Sequence, residues 1–138
     1  MKKQRGFTLV ELLVVISIIS ILATLLMANF IGVRQRGRDG QRKSNLFNIQ
    51  SALELYRADA GLYPTTGNFP ACNSPLTDGG STTYMTKVPC DPLSGSYVYT
   101  SADGTTYTLY ACLENAEDSQ KDTTPSGSCT TSFTLTNP

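Results

Sequence analysis

Gly6-Phe7-Thr8-Leu9-Val10-Glu11-Leu12 decides how the chain is to be read, because no charge follows Glu11 until Arg34. Residues 12–33 are 22 positions, mostly Leu, Ile, Val and Ala. As a helix rising 1.5 Å per residue they span ~33 Å. That matches the ~30 Å hydrocarbon core of a bilayer. A cleavable secretory signal has a shorter apolar run, about 7–15 residues, closed by a small-residue cleavage site. Met27, Asn29 and Phe30 make no such site, so the segment is expected to stay with the protein.

Glu11 is the one carboxylate in this setting, and a charge inside an apolar span costs ~2.5–3.5 kcal/mol on insertion scales. Two readings of it stand side by side. Thr8 and Glu11 have the T-x-x-E spacing of a capping box, in which each side chain satisfies a backbone donor of the first turn. Alternatively Glu11 seeks a cation outside its own helix, because an unpaired buried charge is far more costly than a matched pair.

Charge is uneven along a chain that sums to zero. Lys2, Lys3 and Arg5 open it, and Arg34, Arg36, Arg38, Arg42 and Lys43 follow the apolar run. With positives on both flanks, charge bias leaves the orientation of a span ambiguous. The second cluster reads as a solvated or lipid-headgroup flank. From residue 44 onward three basic residues face nine acidic ones, which argues against a nucleic-acid grip in the distal part.

Cys72, Cys90, Cys112 and Cys129 all lie in that distal part, with no C-x-x-C pair and no histidine anywhere. Those spacings disfavour zinc. Disulfides fit, and they place the distal part in an oxidising compartment outside the cytoplasm. Of three possible pairings, Cys72 with Cys90 and Cys112 with Cys129 is favoured, because each closes a short loop for ~3 kcal/mol on the chain-entropy model. Four buried reduced thiols remain the alternative.

Beyond the span, Leu46, Ile49, Leu53, Tyr56 and Ala60 recur at steps of three and four, one face of an amphipathic helix that Gly61 and Pro64 end. Residues 62–80 are rich in Pro, Gly, Thr and Asn and read as loop. Residues 97–100 and 105–113 form a hairpin across an Asp-Gly turn, with Tyr107, Leu109, Ala111 and Leu113 on one face. Residues 114–128 read as loop and 130–135 as a returning strand. The fold class is therefore α+β: a long N-terminal helix on a small antiparallel sheet. No G-x-S-x-G, phosphate loop or convincing carboxylate pair is present, so no enzyme is expected.

Gly6, Phe7 and Glu11, behind a basic leader and ahead of an unbroken apolar run, resemble the class III signal of type IV prepilins and type II secretion pseudopilins. Tyr63-Pro64-Thr65-Thr66, and Val88-Pro89-Cys90-Asp91-Pro92 with Gly95, Tyr97 and Tyr99, are similar to the globular part of the same family, so the resemblance extends to about residue 113. It implies cleavage after Gly6 by a prepilin peptidase, N-methylation of Phe7, and pairing of Glu11 with the Phe7 amine of a neighbouring subunit. It also implies segments at 1–6 (leader), 7–33 (membrane and polymerisation helix), 34–61 (amphipathic continuation) and 62–138 (disulfide-bonded head). Relatives often carry a proline near position 28, where this chain has Ala28.

The expected partners are identical or related pilins, the peptidase, the inner-membrane assembly machinery and, before assembly, membrane lipid; DNA is disfavoured for the head. The location is a single-pass membrane protein that becomes an extracellular filament. A pilus subunit for adhesion, motility or DNA uptake is preferred on the paired cysteines and the lack of a calcium pattern. A type II secretion pseudopilin is the alternative, and a non-polymerising membrane-tethered binding module is the competitor from another class. Major pseudopilins carry calcium in their last loop. Glu114, Glu117, Asp118 and Asp122 show no ligand spacing for it, so no metal ligand and no cofactor are assigned.

Overall fold

A computed structural model describes residues 6–93 and 95–138, and at positions 28 and 29 the backbone alone. The expected leader, apart from Gly6, lies outside the described residues. The chain divides into two compact units, Met1–Arg34 and Gln35–Pro138.

One helix, α1 (Leu9–Ala60), begins immediately after Thr8 and is continuous through position 28. Gly32, Gly37 and Gly40 lie inside it without breaking it. It ends where Gly61 adopts φ +81° and donates its amide to Arg57 O at 2.8 Å, a left-handed stop that an L side chain resists.

In the second unit Leu46, Ile49 and Leu53 are fully buried, the steps of three and four placing them on one face. Tyr56 is half-buried against Tyr84, at 5.1 Å between rings. Ala60, expected on the same face, is exposed, because the cover ends with the Tyr56–Tyr84 contact. The face packs on a three-stranded antiparallel sheet of order β3-β4-β5, with β3 (Val98–Thr100), β4 (Thr108–Cys112) and β5 (Ser132–Thr136). Leu109 sits between Tyr99 and Leu135 in register, and Tyr107, Leu109, Ala111 and Leu113 are all buried, as their alternation predicts. Tyr63 closes the core edge-on to Tyr107 at 4.7 Å.

Residues 62–80 are more ordered than a loop. They hold a 3₁₀ turn at Thr66–Asn68 and β1 (Leu76–Thr77), which pairs with β2 (Thr83–Met85) in a separate two-stranded sheet. Two or three residues are too few to show the alternation by which strands are recognised. In the turn before β4, Gly104 has φ +79° and passes so near Tyr63 that a Cβ would lie 2.6 Å from its carbonyl oxygen. The same approach lets Tyr63 N donate to Gly104 O at 2.8 Å.

Candidate assembly site

Thr8, Glu11 and the hydroxyls of Ser17, Ser20 and Thr24 are satisfied by neighbours three or four residues away along the chain. Thr8 N donates to Glu11 Oε2 at 2.8 Å, Thr8 Oγ1 donates to the same oxygen at 2.8 Å, and Glu11 N donates to Thr8 Oγ1 at 3.2 Å. This is the reciprocal capping box. Ser17, Ser20 and Thr24 turn their hydroxyls back onto the carbonyls four residues earlier, at 2.8, 2.7 and 2.6 Å. Such back-bonding leaves no hydroxyl in need of water, the state a helix in lipid requires. The apolar side chains have the opposite status: Phe7, and the Leu, Ile and Val residues from Leu9 to Val33, are all exposed. This stretch is long and apolar enough to cross a membrane. Among the described residues no cation pairs with Glu11. Gly6 and Phe7 precede the helix and are exposed, so the backbone between them is open to approach.

The second unit contains a group of charged side chains that sequence reasoning missed. Asp39 is fully buried and Arg42 only 3% exposed, although Arg42 belongs to the basic cluster read as a solvated flank and Asp39 lies within the same stretch. Asp39 accepts from the amides of Glu114 (3.0 and 3.1 Å) and Asn115 (2.8 Å), and from Arg42 Nη1 at 2.7 Å. Arg42 donates to Asp91 through Nε at 2.6 Å and Nη2 at 3.0 Å, and to Glu114 at 2.7 Å. Arg38 grips both oxygens of Glu114, at 2.7 and 2.5 Å, and Lys43 grips both oxygens of Asp118, at 3.0 and 2.9 Å.

Three of the five cluster cations are thus taken up by acids of this same chain, which corrects the flank reading for Arg38, Arg42 and Lys43. Apart from Asp39, their acidic partners lie 49 to 76 positions away, so counting charges along the sequence does not find them. A usable signal was present: Asp39 and Arg42 extend the stripe of Leu46, Ile49 and Leu53 backwards at the same three-and-four spacing. The Arg38 guanidinium, followed by Arg42, holds the Glu114 carboxyl down to about 2 against the opposing effect of burial. Asp91, then Glu114 and Asp39, keep the Arg42 guanidinium charged.

Two disulfides staple the same unit. Cys72 is joined to Cys90 and Cys112 to Cys129, with Cα atoms 4.9 and 5.2 Å apart. The second ties the end of β4 to the residues before β5.

Residues 1–27 match the family model of the prokaryotic N-terminal methylation motif, and residues 29–127 match that of type II secretion system (T2SS) protein G. The chain belongs to the type II secretion system protein G family. Within that family, type II secretion system core protein G of Escherichia coli (strain K12) is 33% identical over 103 residues, covering 70% of this chain and 71% of that protein. The Vibrio cholerae protein of the same name is 32% identical over 110 residues, 73% of each chain. That of Aeromonas hydrophila is 34% identical over 106 residues, covering 70% and 72%. The protein G relatives therefore favour the secretion pseudopilin, placed second on sequence grounds, over the pilus reading.

Proposed function

We propose that this chain is a pseudopilin-type structural subunit of a secretion filament. It is cut after Gly6, N-methylated at Phe7, held in the membrane through residues 7–33 and then polymerised with copies or relatives through that same helix. Residues 34–61 continue the helix beneath the disulfide-bonded head at 62–138. The observation that carries this reading is the contrast at the N-terminus: a helix with every hydroxyl satisfied internally, every large apolar side chain exposed, and one carboxylate with no described cation. After cleavage, the new Phe7 amine of a neighbouring subunit supplies that cation. Thr8 holds Glu11 until the partner arrives, since hydrogen bonds from Thr8 satisfy the carboxylate without neutralising it. The prepilin peptidase, the inner-membrane assembly machinery and surrounding lipid are the partners this route requires. The completed filament lies beyond the inner membrane.

Glu11→Val tests the assembly step. The variant is expected to be cut, to insert in the membrane and to fail to enter filaments, while intact mass of the native protein begins at methylated Phe7. Normal filaments from Glu11→Val sink the pairing, and a retained Met1 sinks the processing. Deleting the gene separates the two filament classes: lost protein secretion supports the pseudopilus, whereas lost surface fibres with intact secretion return the chain to the pilus class.

A further inference from the structure

The resemblance to major pseudopilins implies calcium in the last loop. Calcium takes six to eight oxygens at about 2.3–2.6 Å. The connection between β4 and β5 offers four acids, and three are already engaged. Glu114 is held by Arg38 and Arg42. Asp122 accepts from the hydroxyls of Ser132 and Thr134 and, at 3.2 Å, from Thr134 N. Asp118 faces Lys43, whose Nζ also donates to Gln120 Oε1 at 3.0 Å. A loop carbonyl, Ala116 O, is likewise taken by the Lys121 ammonium. Among the described residues no three of His, Cys, Asp and Glu gather as a metal site. The loop does not fit the ion.

What it does fit is an ammonium. Three side-chain oxygens, two from Asp118 and one from Gln120, converge on Lys43 Nζ at 2.9–3.0 Å, matching its three donors. Lys43 stands on α1, and its side chain is 16% exposed against 12% for Asp118, so the pair is shielded from solvent. The four loop acids with Lys121 leave the loop at −3, and α1 presents three cations to it in Arg38, Arg42 and Lys43.

We propose that the Lys43 ammonium, donated by the helix into the Asp118–Gln120 cradle, is the built-in cation of the β4–β5 loop and fills the place a divalent ion takes in related heads. The head accordingly folds and keeps this loop ordered without calcium. The proposal is independent of the filament reading, because it concerns only contacts within one chain.

Thermal melting of the full chain in detergent micelles tests it. At about 10 mM calcium, roughly a hundredfold above the ~10⁻⁴ M dissociation constant of extracellular calcium modules, a bound ion would raise the midpoint by roughly 10 °C or more over a chelated sample. The expected result is the same midpoint in excess EGTA and in calcium; a rise of that size overturns the proposal. Lys43→Met is expected to lower the midpoint by about 4–8 °C and to speed amide exchange across residues 114–122, with Lys43→Arg restoring most of both. An unchanged midpoint and exchange pattern in Lys43→Met overturns the role of the ammonium. If Lys43→Met does not fold, the wild-type calcium comparison still decides.

Discussion

The two halves of α1 have the same backbone and opposite needs. From Leu9 to Val33 the hydroxyls of Ser17, Ser20 and Thr24 find partners inside the helix, and the Leu, Ile and Val side chains are exposed. From Asp39 to Leu53 the stripe facing the sheet is complete within the chain, with its leucines and isoleucine fully buried and its charged members paired. Helix propensity does not separate these stretches. Each half is defined by what it leaves unsatisfied, an apolar surface in the first and nothing on the buried stripe of the second. The first half is built for a surrounding medium or a neighbour, and the second for its own sheet.

The strongest way to break the contrast is Arg42→Met. It strips Asp39, Asp91 and Glu114 of a shared cation in a buried setting, and removing one partner of such a group costs ~3–5 kcal/mol. Denaturant unfolding of the head should show a loss of that size. A change under about 1 kcal/mol would mean that the apolar stripe alone holds the second half.

Ile18→Lys acts on the other half, adding ~2.5–3.5 kcal/mol to insertion. It should reduce the fraction of protein resisting alkaline extraction from membranes while leaving the melting midpoint of the head where it was. A matching fall in that midpoint would tie the two halves together energetically.

Acid sharpens the comparison most gently. Glu114 titrates at about 2 in the folded chain, chiefly because of Arg38, and Asp118 is held below its ordinary value first by Lys43. Both folded values lie under the unfolded ones, so the stability they contribute is complete above about pH 5 and drains away as pH falls through the folded values toward 2. Denaturation midpoints measured from about pH 6 to about pH 2 should decline in that window, and Glu114→Gln should flatten the decline. A profile equally steep in the variant would place the acid sensitivity elsewhere.

Much of this was legible in the sequence because it is local. The capping box needs residues three apart, the span needs only composition, and Leu46, Ile49 and Leu53 announce their face by spacing alone. The β3–β4 hairpin is visible for the same reason, since its strands alternate around a short turn. The clasp was hidden. Asp39 and Arg42 keep the spacing of the stripe but not its hydrophobicity, and their partners Asp91 and Glu114 sit in loops without periodicity. The β1–β2 pair was hidden by brevity. The cysteines and acidic loop residues do not separate the two filament readings, because the similarity that decides between them is spread over residues 29–127.

The contacts from Arg38, Arg42 and Lys43 to residues 114–120 join positions 72 to 77 apart. At ~5–20 residues per second a ribosome needs roughly 4–15 s to make that stretch. Throughout that interval Arg38 and Lys43 have no loop acid to meet, and Arg42 has only Asp39 and, later, Asp91. The internal latch is therefore absent from the newborn chain, and it closes only once Glu114 and Asp118 have been synthesised.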